Sequence, residues 1–210
     1  MSKRGLCITF EGPEGSGKST QRRRLSSWLR RRGFDVVLTR EPGGTVLGQR
    51  FRQILLDRRG AGIDPFVELC LYTASRHLLV KQVIQPALRR GDGIIVDRFQ
   101  DSTWVYQGWA GGLNPALVGE MGHVATEGLA PDLTLLLDLP AADGLARVRH
   151  PNRMEAKPLA FHRKVREGYL ALARREPKRF RVIRADRPIL EVQRAIQKEV
   201  LDVLRRRRRA

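Results

Sequence analysis

Two cysteines, 6% aromatic residues and no long apolar run are what this 210-residue sequence has little of. Two thiols without metal-ligand spacing build neither a zinc site nor a disulfide framework. Cys7 lies in a strand-like run and Cys70 in a helical one, so both are expected as buried free thiols in a reducing compartment. No stretch approaches the roughly 18 apolar residues of a membrane span. The longest strand-like run, Leu133 to Leu139, already contains Asp138. The first strand-like run begins close to Met1, which leaves no room for a secretory leader, so a cytoplasmic protein is expected. No N-K-x-D guanine motif occurs, which argues against a regulatory GTPase. Acidic residues are scarce too: 22 Asp+Glu face 40 Lys+Arg, for a net charge of +18. So basic a chain raises nucleic-acid binding, but the few aromatics form no interleaved stacking platform, and no specific nucleic-acid partner is expected. The tail at 205–210, with Arg205 to Arg209, reads as a solvated, frayed terminus.

What is present begins with Gly12-Pro13-Glu14-Gly15-Ser16-Gly17-Lys18-Ser19-Thr20, directly after the apolar run Leu6 to Phe10. This is the phosphate-loop pattern G-x-x-x-x-G-K-[ST] in its required setting of strand, glycine-rich turn and helix. Glycines let successive N–H groups turn inward toward phosphate oxygens, and the helix after them adds the positive end of its dipole. That helix carries Leu25, Trp28 and Leu29 on one face and stops at Gly33. Lys18 is expected to reach the β- and γ-phosphates of a nucleoside triphosphate, and Ser19 to offer its hydroxyl to Mg²⁺. The basic excess then steers polyanionic nucleotides to the site.

Strand-like runs continue at Val36–Thr39, Ile94–Val96, Leu133–Leu139 and Phe180–Arg184. Helical patterns separate them: Leu47 to Leu55, a long segment from Pro65 to about Arg89 stopped by Gly91, Leu117 to Ala125, Phe161 to Leu172, and Ile189 to Val203. The alternation predicts one α/β domain over 1–210, a parallel sheet with helices on both faces. Ligands then gather beyond the carboxyl ends of the strands. There the sequence places the phosphate loop after Phe10, Arg40-Glu41-Pro42-Gly43-Gly44-Thr45 after Thr39, and Asp97 to Gly108 after Val96. Asp97, ending an apolar strand, is placed to hold Mg²⁺ directly or through water. Arg52 and Arg98 are suited to bidentate bonds with a second phosphate group.

These segments together resemble the thymidylate kinase family. The resemblance rests on Glu11 to Thr20, on Thr39 to Thr45, on Phe51 to Asp57, on Ala74-Ser75-Arg76, on Asp97 to Gly108 and on Pro131 to Asp138, in the family's order over nearly the whole chain. It implies a P-loop kinase fold with a five-stranded parallel sheet and a helical lid, a homodimer, ATP and Mg²⁺ as cofactors, and dTMP as acceptor. By the same resemblance, Arg52 and Arg98 contact the acceptor phosphate, and Glu14 lies near its sugar or the bridging arginines. Glu41 and Pro42 belong to the acceptor site. Tyr72 stacks on the thymine, Arg76 bonds its O4, Thr103 and Gln107 face the pyrimidine edge, and Tyr106 packs where a 2′-hydroxyl would sit. The lid is expected at about 147–158, with Arg153 as its cation over the transferring phosphoryl group and Arg149 as second choice. Three departures from the family pattern stand at Ser75, Gly111 and Asn152. A kinase for another nucleoside monophosphate and a nucleic-acid-stimulated ATPase are the competing readings.

Overall fold

A computed structural model describes residues 4–59 and 62–209. Five parallel strands form one sheet in the order β2-β3-β1-β4-β5: β1 Cys7–Glu11, β2 Val36–Arg40, β3 Gly93–Asp97, β4 Leu133–Asp138 and β5 Phe180–Arg184. All five expected strands are present, with ends shifted by no more than a residue. Alternation along β1 decides what lies on each side. Ile8 and Phe10 join a core with Leu25, Trp28 and Leu29 of α1 (Lys18–Arg30) and Val192, Ile196 and Val200 of α9 (Ile189–Arg209). Cys7 faces the other side, toward Leu79, Val80, Ile84, Ile94 and Val96. Thr9 and Glu11 share that second face and are fully buried.

The remaining helices are α2 Val46–Leu56, α3 Pro65–Leu79, α4 Gln85–Arg90, α5 Gln100–Thr103, α6 Pro115–Thr126, α7 Ala141–Ala146 and α8 Leu159–Arg175. The segment expected as one helix from Pro65 to Arg89 is α3 and α4 joined by a π-helical turn, Val80–Ile84, and it does stop at Gly91, where φ is 90°. Pro86 supplies the reason. It has no N–H to give the carbonyl four residues back, and its ring crowds that carbonyl, a conflict that a wider turn relieves.

Three further expectations are corrected. Cys7 is buried, but Cys70 is partly exposed, because the turn of α3 that carries it is only half covered. The basic tail does not fray at Arg205. It continues α9 to Arg209, with Arg205 beside Asp202 at 3.5 Å and Arg207 donating to the Arg4 carbonyl at 3.0 Å; Ala210 lies outside the described residues. The stretch 147–158 is a run of turns between α7 and α8 rather than a helical lid. Pro151 within it and Pro158 at its end each disfavour helical backbone at the preceding residue. Among the described residues no helix is long and apolar enough to cross a membrane.

Candidate active site

One cleft, of about 410 Å³, opens along the carboxyl ends of β1, β2 and β3. One end is the phosphate loop. Gly12, Gly15 and Gly17 all take positive φ, and a Cβ on Gly15 would meet the Gly144 carbonyl oxygen at 2.0 Å, so only glycine lets the loop lie this close to α7. Lys18 begins α1 and folds its ammonium back over the loop, donating to the carbonyls of Gly12 (2.9 Å) and Pro13 (2.8 Å) and to the Ser16 hydroxyl (3.3 Å). Burial, helped by Arg98, pulls its pKa down to about 8 against the opposing pull of Glu14, Asp97 and Glu11. Ser16, Gly17, Ser19 and Thr20 line the cleft with it. Ser19 Oγ donates to Asp97 Oδ2 at 3.1 Å, and Arg22 Nε lies 3.1 Å from the same oxygen. Two oxygen donors side by side at the phosphate end suit Mg²⁺, which takes few protein ligands and completes its shell with water and phosphate.

Arg98 stands at the centre. Its φ of 67° is left-handed, a conformation costing about 1–3 kcal/mol in a side-chain-bearing residue and retained where the surroundings enforce it. Here its N–H bonds to the Phe10 carbonyl (2.9 Å). Nη2 donates to Glu14 at 2.8 Å, Nη1 lies near the Gly12 carbonyl, Ser102 Oγ and Tyr169 Oη (3.1–3.3 Å), and the guanidinium sits 5.0 Å over the Tyr106 ring. Glu14 also accepts from Tyr106 Oη at 2.8 Å. Burial pushes the Glu14 carboxyl up, but Arg98, Lys18 and that hydroxyl outweigh it and hold the group near 2, ionised throughout the physiological range. Beneath them Glu11 accepts from the Phe99 N–H (2.7 Å), Ser102 Oγ (2.6 Å) and Tyr169 Oη (2.8 Å). Burial and the nearby Asp101 raise its pKa to about 7.

The far end is built from side chains. Glu68, Tyr72 and Arg76 stand at i, i+4 and i+8 on α3 and so share one face. Arg76, only 1% exposed, donates to Glu41 (2.7 Å), Gln100 (2.5 Å), the Phe99 carbonyl (3.3 Å) and Thr103 Oγ1 (2.8 Å). That leaves one Nη1 proton of this cleft-lining arginine for a ligand. Burial raises Glu41 to about 7 despite Arg76, and its Oε1 is buried without a partner. Burial likewise raises the Tyr72 hydroxyl to about 12, so it stays neutral. Arg52 donates to the Pro42 carbonyl at 3.1 Å and lines the cleft beside Arg40.

The structure thus brings together Glu14, Glu41, Pro42, Arg52, Tyr72, Arg76, Asp97, Arg98, Thr103, Tyr106 and Gln107 with the loop. It does not bring Arg153 there. That side chain turns away, pairing with Glu68 and donating to the Leu55 carbonyl (2.8 Å), because the turn it occupies packs on the end of α2. Arg149 is exposed and does not line the cleft. The cation of 147–158 at the phosphate loop is Arg147, whose Nη1 lies 3.3 Å from the Gly15 carbonyl oxygen. Sequence reasoning did not anticipate Arg22 and Arg147 in the cleft lining, nor Glu11 and Glu68, which bond to lining residues from behind. Glu68 alone carried a local signal, its i, i+4, i+8 alignment with Tyr72 and Arg76. Of the three departures, Ser75 accepts from the Gly43 N–H (3.1 Å), Asn152 accepts from the N–H groups of Met154 and Glu155 (2.9 and 3.1 Å), and a Cβ on Gly111 would strike the Tyr106 and Gln107 carbonyl oxygens.

The thymidylate kinase family model matches residues 10–196. A thymidylate kinase of Deinococcus radiodurans is 50% identical over 187 residues, covering 88% of this chain and 90% of the relative. One of Desulfovibrio desulfuricans is 46% identical over 214 residues, covering 97% and 99%. The crystal structure of thymidylate kinase from Ehrlichia chaffeensis superposes with a TM-score of 0.77 at 31% identity, over 94% of this chain and 99% of that one. The chain belongs to the thymidylate kinase family.

Proposed function

We propose that this cleft transfers the γ-phosphoryl group of ATP to dTMP, giving dTDP and ADP. The observation that carries the reading is the order of groups along one cleft: phosphate loop and Lys18, then Arg98 held by Glu14, then a base pocket of Tyr72, Arg76, Thr103 and Gln107. Chemistry of this kind needs positioning and charge neutralisation and no covalent enzyme intermediate. Lys18 and the loop N–H groups hold the donor phosphates, while Arg98 and Arg52 hold the acceptor phosphate. Tyr106, pinned to Glu14, fills the space beside the sugar and favours a deoxyribose. Ser19 and Asp97 would hold Mg²⁺, which offsets charge between donor phosphates. Arg147 supplies the cation that a closing 147–158 segment brings to the loop, the part first expected of Arg153.

Exposed apolar side chains stand on α2 (Leu47, Ile54), α3 (Phe66, Val67) and α6 (Val124), and α3 packs against both of the others; a homodimer formed over these helices would cover them. The substrates of such a kinase are nucleotide-pool metabolites, so the protein is assigned to the cytoplasm.

A coupled ADP-release assay across nucleoside monophosphates tests the function. We expect dTMP to exceed dUMP by about 10- to 100-fold in kcat/KM, the worth of one methyl group in an apolar pocket. Equal values for dTMP, dCMP and dGMP would overturn the assignment.

A further inference from the structure

Glu68 belongs to none of the roles assigned so far, yet it is a carboxylate only 4% exposed, bonded to a residue of the base-pocket wall. One oxygen pairs with Arg153. The other accepts from Gln107 Nε2 at 3.0 Å. A side chain serving only to anchor the 147–158 segment would need the first contact alone. The second reaches a residue that lines the cleft and is itself 3% exposed.

A primary amide has one donor end and one acceptor end. An ionised carboxylate only accepts, so Glu68 fixes which end of Gln107 it takes: the NH₂ is committed to Glu68 and the carbonyl oxygen is the end left for a ligand. Arg153 makes that choice firm. Its Nε donates to the Leu55 carbonyl and its backbone N–H to the Leu56 carbonyl (2.8 and 3.2 Å), so the guanidinium is fixed beside Glu68 and holds that carboxylate in place. Across the pocket, Arg76 has one uncommitted N–H. The pocket therefore offers a donor from Arg76 and an acceptor from Gln107. A pyrimidine with a carbonyl at C4 and a proton on N3 matches that pair. Cytosine, with an amino group at C4 and a bare N3, mismatches it at both points.

We infer that Glu68, held by Arg153, is a positioning residue that sets the base specificity of the site by locking the amide of Gln107 with its oxygen toward the pyrimidine N3–H. The inference rests on the reading of the cleft as a dTMP site. It also gives Arg153 a task different from the one its place in the lid suggested, since through Glu68 it couples the 147–158 turns to base recognition.

Glu68→Gln is the direct test. An amide at 68 no longer dictates the orientation of Gln107, so KM for dTMP should rise while KM for dCMP falls, and the dTMP:dCMP ratio of kcat/KM should shrink at least about tenfold. ATP KM should stay unchanged. In a Gln107→Ala background, Glu68→Gln should change the ratio no further, because the residue acts through the amide now removed. A loss of turnover equal for both substrates, or an undiminished ratio, would overturn the inference and leave dTMP kinase activity standing. Failure of the unaltered protein to phosphorylate dTMP would instead overturn the functional reading. Should Glu68→Gln not fold, calorimetry on the unaltered protein decides: N3-methyl-dTMP should bind at least about 100-fold more weakly than dTMP, and equal binding would refute an acceptor at Gln107.

Discussion

The two ends of the cleft are made of different material. At the phosphate end the working surface is main chain: three positive-φ glycines, the loop N–H groups and the first turn of α1, with Lys18 resting on carbonyl oxygens of its own loop. At the base end it is side chain on side chain: Arg76 on Glu41, Gln100 and Thr103, and Arg153 on Glu68 on Gln107. The first surface is encoded within nine consecutive residues. The second is assembled from four separate segments and exists only once the sheet has brought them together. A main-chain surface grips phosphate of any nucleotide. A network of buried side chains, each partner limiting the other's orientation, can discriminate one base edge from another.

The largest expected effect falls at the phosphate end, where one side chain carries charge that the backbone cannot replace. Lys18→Ala should lower kcat by about three orders of magnitude or more with the fold retained, since the loop geometry comes from its glycines. Single-turnover measurements at saturating ATP, with a melting curve beside them, check it. Retention of a tenth of the activity would show that the main chain alone suffices there, and would erase the contrast between the two ends.

Next in size is Arg98, which belongs to both ends. Through Glu14 and Tyr106 it meets the acceptor side, and through the Gly12 carbonyl it meets the loop. Arg98→Ala removes ground-state binding as well as charge stabilisation, so dTMP affinity by calorimetry and kcat should both fall, with kcat/KM down about 100-fold or more. Loss of kcat with dTMP affinity intact would place Arg98 wholly at the donor end.

This contrast explains what could be read in the sequence. The strands and the phosphate loop were legible because they are local: apolar runs of strand length, then G-x-x-x-x-G-K-[ST]. Asp97 and Arg98 were legible as polar residues at a strand's carboxyl end. Gln107, Thr103 and Arg76 came from resemblance to the family, and the structure places all three in the cleft wall. The partner of Arg153 was not legible. A lid arginine and a buried acid on α3 lie far apart in sequence, and no periodicity links them, so a cation expected over the phosphates is found tied to Glu68 while Arg147 stands at the loop. The helical character of Gln100–Trp109 escaped as well, because π-helical backbone over Trp104–Trp109 shifts its apolar residues off the 3.6-residue period.

The smallest expected effect sharpens the comparison through pH. With no nucleotide bound, burial and Arg98 hold Lys18 at about 8, whereas triphosphate oxygens within reach would favour its charged form. A group whose pKa rises on binding takes up a proton when the ligand arrives. At pH 7 the lysine is already charged, so little uptake is expected. At pH 9 it is mostly neutral in the free protein, and ATP binding should take up close to one proton while ATP affinity falls by up to about tenfold per pH unit above 8. Calorimetry of ATP binding in buffers of different ionisation enthalpy reads the proton directly. The base end supplies the internal control. Arg98, raised well above its ordinary value by Glu14 against the effect of burial, keeps its charge through this range, and Glu41, raised only to about 7, is already largely ionised at pH 8. Affinity for dTMP should therefore change much less between pH 8 and 9 than affinity for ATP. Parallel loss of both would mean that the alkaline change belongs to the fold as a whole, and absence of proton uptake at pH 9 would remove Lys18 as its source.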